Sequence, residues 1–111
     1  MARSDTLEAG ELTDTSFYIL LSLTEARHGY LIMQRIEELT NGKVSIGPAS
    51  LYTTIKKLLS GGFIEQQGEG TGKRKTYIAT ERGIHLLKKD MERRENILAH
   101  ARLVLNEEGE Q

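Results

Sequence analysis

The sequence predicts a mainly α chain of the α+β class, with three helices, a two-stranded hairpin and one long final helix. Three observations support this prediction. Apolar residues recur at helical spacing in four segments, and a glycine-rich basic loop separates two short β-prone runs. The chain has 111 residues, a length that favours one domain with a single core.

The first two helices are predicted from apolar spacing and from the polar residues at their ends. Thr13 has the character of an N-cap, and the apolar stretch after it predicts a short, buried first helix. Residues 26–29 are interpreted as a turn, and a second helix is expected from about Tyr30 to Thr40. Asn41 and Gly42 tolerate positive φ and should end it. The residues expected to be buried in the second helix are Ile32, Ile36 and Leu39.

The third helix is predicted from the stretch GPASLYTTIKKL at residues 47–58, which contains the only proline of the chain. Proline is favoured in the first turn of a helix, where its missing N–H costs nothing. Gly61 and Gly62 should end the helix. Its apolar stripe consists of Leu51, Ile55, Leu58 and Leu59.

Residues 63–79 predict a hairpin, and the residues after it predict the last helix. The runs FIEQQ and TYIAT are expected to be strands joined by the loop GEGTGKRK. The last helix should run from Glu81 to about Leu105 with a heptad-like apolar seam. Arg94 interrupts that seam: either it pairs with Asp90 or Glu95, or it marks where two such helices diverge. The apolar residues of the seam are Ile84, Leu87, Met91, Leu98, Ala101 and Leu105.

Three helices followed by a two-stranded wing correspond to the winged helix-turn-helix plan. We therefore expect a flexible N-terminal segment at residues 1–12 and a winged helix-turn-helix DNA-binding domain at residues 13–80. A C-terminal dimerisation helix is expected at residues 81–105 and a disordered tail at residues 106–111.

The charge distribution favours a polyanionic partner although the net charge is −1. Residues 43–94 carry eleven basic side chains against five acidic ones, whereas residues 1–42 carry three against seven. A local basic patch matters more than the total charge when the partner is a nucleic acid. Segregation of charge by chance in a short chain is the alternative explanation.

The outer face of the third helix and the hairpin loop are the candidate DNA contacts. Serine and threonine can bond to base edges or phosphates, and lysine can bond to phosphates. The helix has no arginine, so strong direct hydrogen bonding to guanine bases is not expected from it. The loop places three cations after three glycines, which suits the phosphate backbone or the minor groove. The residues selected here are Ala49, Ser50, Tyr52, Thr53, Thr54, Lys56, Lys57, Lys73, Arg74 and Lys75.

Enzymatic, metal-binding and membrane functions are not expected. There is no cysteine, no nucleophile–base pair and no His/Asp/Glu grouping at metal spacing, so neither a cofactor nor a metal is predicted. The run GEGTGK lies between strands and lacks the spacing of a phosphate-binding loop. No segment has the length and apolarity of a membrane span, and a cytoplasmic location is expected.

The motifs HGY at 28–30, GPASLYTTIKKLLSGGFIE at 47–65 and KRKTYIATERGIHLL at 73–87 together resemble the PadR-like transcriptional regulators. The resemblance covers about residues 14–105, and the single last helix is similar to the short-tailed subfamily. It implies a cytosolic, homodimeric repressor of the winged-helix type that binds a palindromic operator.

The resemblance also implies roles for particular residues. Tyr30, Tyr52 and the basic loop would contact phosphates, while the start of the third helix would contact the groove. Dimerisation would use the last helix with help from the first, which adds Phe17 and Leu20 to the expected interface. Some short-tailed members bind flat aromatic drugs through a tryptophan, and this chain has none. An effector of unknown identity and a protein-interaction module without DNA binding are left open.

Overall fold

The computed structural model describes residues 10–105, apart from the side chain of Lys73. The elements follow in the order α1 (Asp14–Ser22), β1 (Arg27–His28), α2 (Gly29–Leu39), α3 (Pro48–Ser60), β2 (Ile64–Gln67), β3 (Thr76–Ala79) and α4 (Glu81–Leu105). A short 3-10 turn, Gly72–Arg74, lies between β2 and β3. This order confirms the predicted fold class. The expected tail at 106–111 and residues 1–9 lie outside the described residues.

Local sequence signals set the helix ends. The Thr13 hydroxyl accepts a hydrogen bond of 3.1 Å from the Ser16 N–H, which is an N-cap contact for α1. Pro48 occupies the first turn of α3. After α2, Asn41 and Gly42 have φ values of 55° and 78°, and the Gly42 N–H donates to the Glu37 carbonyl at 2.8 Å. The positive φ predicted for this turn is confirmed.

The sheet has three antiparallel strands in the order β1-β3-β2, one more strand than the sequence predicts. Arg27 is paired with Tyr77 and His28 with Thr76, so residues expected to form only a turn also form a sheet edge. The Arg27 Nε donates to the Ser22 carbonyl at 2.8 Å and ties this strand to the end of α1. Two residues are too few to display the alternation that identifies a strand in a sequence.

The core lies between the helices and the inner face of the sheet. The Ala79 N–H donates to the Leu23 carbonyl at 2.8 Å and joins β3 to the end of α1. Leu39 and Leu59, which were expected to be buried, are exposed. Leu59 directly follows the buried Leu58 and therefore lies about 100° away from it around α3, and Leu39 is the last residue of α2. The buried apolar residues include Ile19, Leu20, Leu23, Ile32, Ile36, Leu51, Leu58, Ile64 and Leu87.

Residues 10–12 are part of the packed body, although a flexible segment was expected there. Gly10 and Leu12 are buried, and the Leu12 N–H donates to the Asp90 carboxylate at 3.3 Å. The aliphatic part of Lys89 lies against Gly10: the Lys89 Cδ is 2.8 Å from the position that a β-carbon on residue 10 would occupy. Composition alone suggested fraying, but these contacts with α4 hold the segment.

No helix within residues 10–105 combines the length and apolarity needed to cross a membrane.

Candidate nucleic-acid interface

Helix α3 buries one face and exposes another that carries small, polar and basic side chains. Leu51, Ile55 and Leu58 anchor it in the core. Tyr52 and Thr54 lie at the boundary: the tyrosine is 38% exposed and the threonine is half-buried. The residues exposed on the outer face are Ala49, Ser50, Thr53, Lys56 and Lys57. The structure therefore brings together the side chains selected from the sequence on this helix.

Tyr52 lies against the start of α2. A β-carbon on Gly29 would overlap the Tyr52 hydroxyl and lie 2.9 Å from its Cζ. Burial raises the pKa of the Tyr77 phenol above its ordinary value, and the nearby Tyr52 raises it further. The glycine of the HGY motif is the residue that gives Tyr52 its space. The sequence signalled Gly29 only as part of that motif. Tyr77 is buried in the core.

Tyr30 lies beside Gly29 in the first turn of α2 and is 64% exposed. Its phenol therefore stands in solvent next to the place where Tyr52 reaches the same helix end. A large aromatic side chain that is exposed in this way can place a hydroxyl against a phosphate group.

The hairpin loop presents cations on a glycine-rich turn. Arg74 and Lys75 are exposed, and Gly68 and Gly72 adopt positive φ values of 82° and 56°. The Gln66 side-chain amide donates to the Gly70 carbonyl at 3.1 Å and fixes one side of the loop. Lys73 belongs to the 3-10 turn, and its side chain lies outside the described part of the structure.

Two of the residues expected in the dimer interface are not available to a partner. Leu20 and Leu87 are buried in the core of the single chain, so the interface prediction is corrected at both positions. The heptad pattern misassigned Leu87 because the first turns of α4 pack on the same chain's body. Phe17 and Ile84 are half-buried.

The second half of α4 leaves the body of the chain. From Glu95 to Leu105 each residue is exposed except the half-buried Arg102. Met91, which was expected in the interface, is also exposed. Sequence reasoning missed three large apolar residues here, because only one stripe was followed. The exposed apolar residues of α4 are Met91, Ile97, Leu98, Ala99, Ala101, Leu103, Val104 and Leu105.

The family follows from the central part of the chain. The family model described as "Transcriptional regulator PadR-like family" matches residues 19–89, from the middle of α1 into α4. The chain belongs to the PadR-like family. Its solved relatives are transcriptional regulators and not enzymes, which agrees with the prediction from the sequence. The expected resemblance and the winged-helix fold are therefore confirmed.

Solved structures of PadR-like proteins are similar to this chain. A transcriptional regulator from Clostridium thermocellum is 29% identical with a TM-score of 0.67, covering 83% of this chain and 89% of its own. Bacillus subtilis PadR, solved in complex with operator DNA, is 26% identical with a TM-score of 0.59. That alignment covers 68% of this chain but only 45% of the B. subtilis chain.

A third structure shares the fold at lower identity. RosR of H. salinarum is 24% identical with a TM-score of 0.62, covering 90% of this chain and 96% of its own. No curated protein matches the chain.

Proposed function

We propose that this PadR-like chain is a homodimeric repressor that binds a two-fold symmetric operator in double-stranded DNA. Helix α3 enters the major groove, the hairpin loop contacts the neighbouring backbone, and α4 joins the subunits. A small molecule or another signal releases the repressor by changing the angle between the subunits, because that angle sets the spacing of the two α3 helices.

The observation that carries the proposal is the exposed face of α3. Ser50 and Thr53 can bond to base edges, Ala49 and the Thr53 methyl can contact a thymine methyl, and Lys56 and Lys57 can reach phosphates. Residues near the start of such a helix typically read the bases. Leu51, Ile55 and Leu58 fix the helix from behind, so these side chains form a preorganised surface.

The hairpin loop supports the same function. Arg74 and Lys75 are exposed cations directly after a glycine-rich turn, and Lys73 precedes them in the sequence. Such a loop can follow the phosphate backbone and add affinity that depends on salt. Tyr30 and Tyr52 extend this surface toward the start of α2, where their hydroxyls are suited to phosphate oxygens.

The projecting half of α4 supports the homodimer. Leu98, Ala101 and Leu105 are exposed at steps of three and four, with Ile97 and Val104 beside them. A run of exposed apolar side chains on a helix that leaves its own body needs a partner surface. A second copy of α4 provides the same stripe, and two-fold symmetry then matches a palindromic operator.

The relatives support DNA as the ligand. Bacillus subtilis PadR, which is 26% identical over 68% of this chain, was solved with operator DNA. The absence of arginine on α3 predicts that sequence preference comes from serine, threonine and DNA shape more than from bidentate guanine contacts.

Selection from random double-stranded DNA tests the proposal. The full chain, immobilised, should enrich a motif of two inverted half-sites with centres about one helical turn (~34 Å) apart. Sedimentation of the complex should give two chains per duplex. Absence of any enriched motif, together with salt-insensitive binding, would contradict the proposal and favour a protein-interaction module.

A further inference from the structure

The exit of α3 and the first turn of α4 are joined by several direct contacts. The Thr80 hydroxyl donates to the Gly62 carbonyl at 2.7 Å, and the Thr80 N–H donates to the Phe63 carbonyl at 3.0 Å. The Arg82 Nε donates to the Gly61 carbonyl at 2.9 Å. Three consecutive carbonyls that follow α3 therefore accept hydrogen bonds from two residues at the start of α4.

Side-chain packing reinforces this junction. The Arg82 guanidinium lies 4.7 Å from the centre of the Phe63 ring, in a cation–π contact. A β-carbon on Gly83 would overlap the Phe63 carbonyl oxygen, so the absence of a side chain lets α4 approach this closely. The same Thr80 hydroxyl accepts from the Gly83 N–H at 3.1 Å, which caps α4.

These contacts make the two helices one mechanical unit. The N–H groups of Gly61, Gly62 and Phe63 donate to carbonyls in the last turn of α3, and the carbonyls of the same three residues accept from Thr80 and Arg82. Turning α4 against α3 would separate Arg82 and Thr80 from Gly61, Gly62 and Phe63 together. The hairpin β2–β3 leaves and returns at this junction, so it is not a free linker between the helices.

We propose that Arg82 and Thr80 are positioning residues that couple the dimerisation helix α4 to the recognition helix α3. The inference rests on the proposed function, since it concerns how a dimer sets the spacing of its two α3 helices. When the crossing angle of the two α4 helices changes, α3 then moves together with α4, because the junction between them does not bend. Neither residue needs to touch DNA for this role.

Operator spacing reports on this coupling. One base pair inserted at the centre of the operator moves a half-site by ~3.4 Å and rotates it by about 34–36°. A dimer with coupled helices cannot follow this displacement without breaking contacts. A dimer with a loosened junction can follow it, because each α3 then turns independently of α4.

The variants Arg82→Lys and Thr80→Val loosen the junction with little change of charge or size. Lysine keeps the positive charge but lacks the Nε–H geometry and the planar cation over Phe63. Valine keeps the shape of threonine and removes the hydroxyl. The matched control is Thr40→Val, because the Thr40 hydroxyl also donates to a backbone carbonyl, that of Ile36 at 2.9 Å, and accepts from an N–H, that of Val44 at 3.0 Å; the Val44 carbonyl lies further away, at 3.4 Å. Thr40 lies at the end of α2, away from this junction.

The experiment measures affinity for the selected operator and for the same operator with one central base pair inserted. Wild type and Thr40→Val should lose about tenfold or more on insertion, which corresponds to ~1.4 kcal/mol. Arg82→Lys and Thr80→Val should lose less than about threefold while dimerising as wild type does, as measured by sedimentation. A smaller loss of affinity on insertion of the base pair, with unchanged dimerisation, is the result that a purely structural role of these residues would not produce.

Two results would overturn the inference while leaving the proposed function intact. Either both variants discriminate between the spacings as strongly as wild type, or wild type itself binds both operators equally well. Failure of wild type to bind any duplex would appear before the variants are compared, and it would count against the proposed function itself and this inference with it.

Discussion

The buried carboxylate of Asp90 accepts a hydrogen bond of 2.6 Å from Nε of Arg94, one turn further along α4. Its other oxygen accepts from the Arg93 Nε at 2.8 Å and from the Leu12 N–H at 3.3 Å. Arg94 also bonds to Asp14 at 2.8 Å and to the Leu12 carbonyl at 2.9 Å. Of the pairings considered for Arg94 from the sequence, the structure selects Asp90.

Replacement of Asp90 should destabilise the fold strongly. Asp90→Asn leaves two guanidinium groups without their carboxylate, and we expect a loss of about 3 kcal/mol in the free energy of unfolding. Urea denaturation measures it. Glu92→Gln is the control, because Glu92 is an exposed acid on the same helix. A loss no larger than that of the control would contradict the importance of the network.

The same carboxylate should make stability depend on pH below about 4. Burial would raise the pKa of Asp90, but the hydrogen bonds from Arg94, Arg93 and the Leu12 N–H outweigh burial and hold the pKa below its ordinary value. The unfolded chain therefore binds a proton at a higher pH than the folded chain does. The stabilisation is present above the unfolded pKa of about 3.9 and is lost as pH falls toward the folded pKa.

The pH prediction is checked by measuring the free energy of unfolding of wild type and Asp90→Asn across the acidic range. The wild-type curve should fall more steeply, because the variant has lost one carboxylate whose pKa differs between the two states. Parallel curves would show that Asp90 contributes nothing to the acid sensitivity.

Gly29→Ala should displace Tyr52 and destabilise the chain. The added β-carbon would overlap the Tyr52 hydroxyl, and overpacking of this kind costs about 1–3 kcal/mol. Gly47→Ala is the matched control, since a β-carbon there meets no atom within 4 Å. Thermal unfolding should separate the two variants.

A second substitution identifies the cause of that loss. In the double variant Gly29→Ala with Tyr52→Phe, the overlapping hydroxyl is gone, and part of the stability should return. If the double variant is no more stable than the sum of the single losses predicts, the contact between Gly29 and Tyr52 is not the reason for the glycine.

Leu98→Arg should yield a folded monomer. Leu98 is 50% exposed in the single chain, so an arginine there does not disturb the core, but it would bury an unpaired charge between two α4 helices. Leu87→Arg is unsuitable for this purpose, because Leu87 is buried in its own chain.

The control for Leu98→Arg is Asn96→Arg, which adds the same charge about 200° around the helix. Sedimentation should give dimers for Asn96→Arg and monomers for Leu98→Arg, with equal helical content by circular dichroism. Dimers from both variants would place the interface elsewhere.

The helices and the hairpin were predictable because their signals are local. Thr13 sets a helix end through its side-chain hydroxyl, and Pro48 and the Asn41–Gly42 pair do so through their backbone preferences. Apolar spacing identified the buried stripe of α3 except for Leu59, which is exposed. The DNA-facing candidates on that helix followed from the same periodicity, since the face opposite a buried stripe is exposed.

The remaining features depend on contacts distant in sequence. Asp90 meets Leu12 across 78 positions, and the strand at Arg27 exists because Tyr77 lies opposite. A heptad pattern cannot tell whether an apolar residue faces its own core or a partner, which is why Leu87 was misassigned. The anchoring of residues 10–12 was also missed, because it depends on contacts with α4 that are distant in sequence. The composition of these residues alone is typical of a flexible chain terminus.

The salt dependence of operator binding tests the central claim most directly. Lys57→Ala should lower the slope of log affinity against log salt by about 1, and Lys73, Arg74 and Lys75 replaced together by alanine should lower it further. The control is Lys89→Ala, whose exposed side chain lies against Gly10. The account predicts an unchanged slope for this control and reduced slopes for the other two variants. Slopes equal to wild type in all three variants would contradict it.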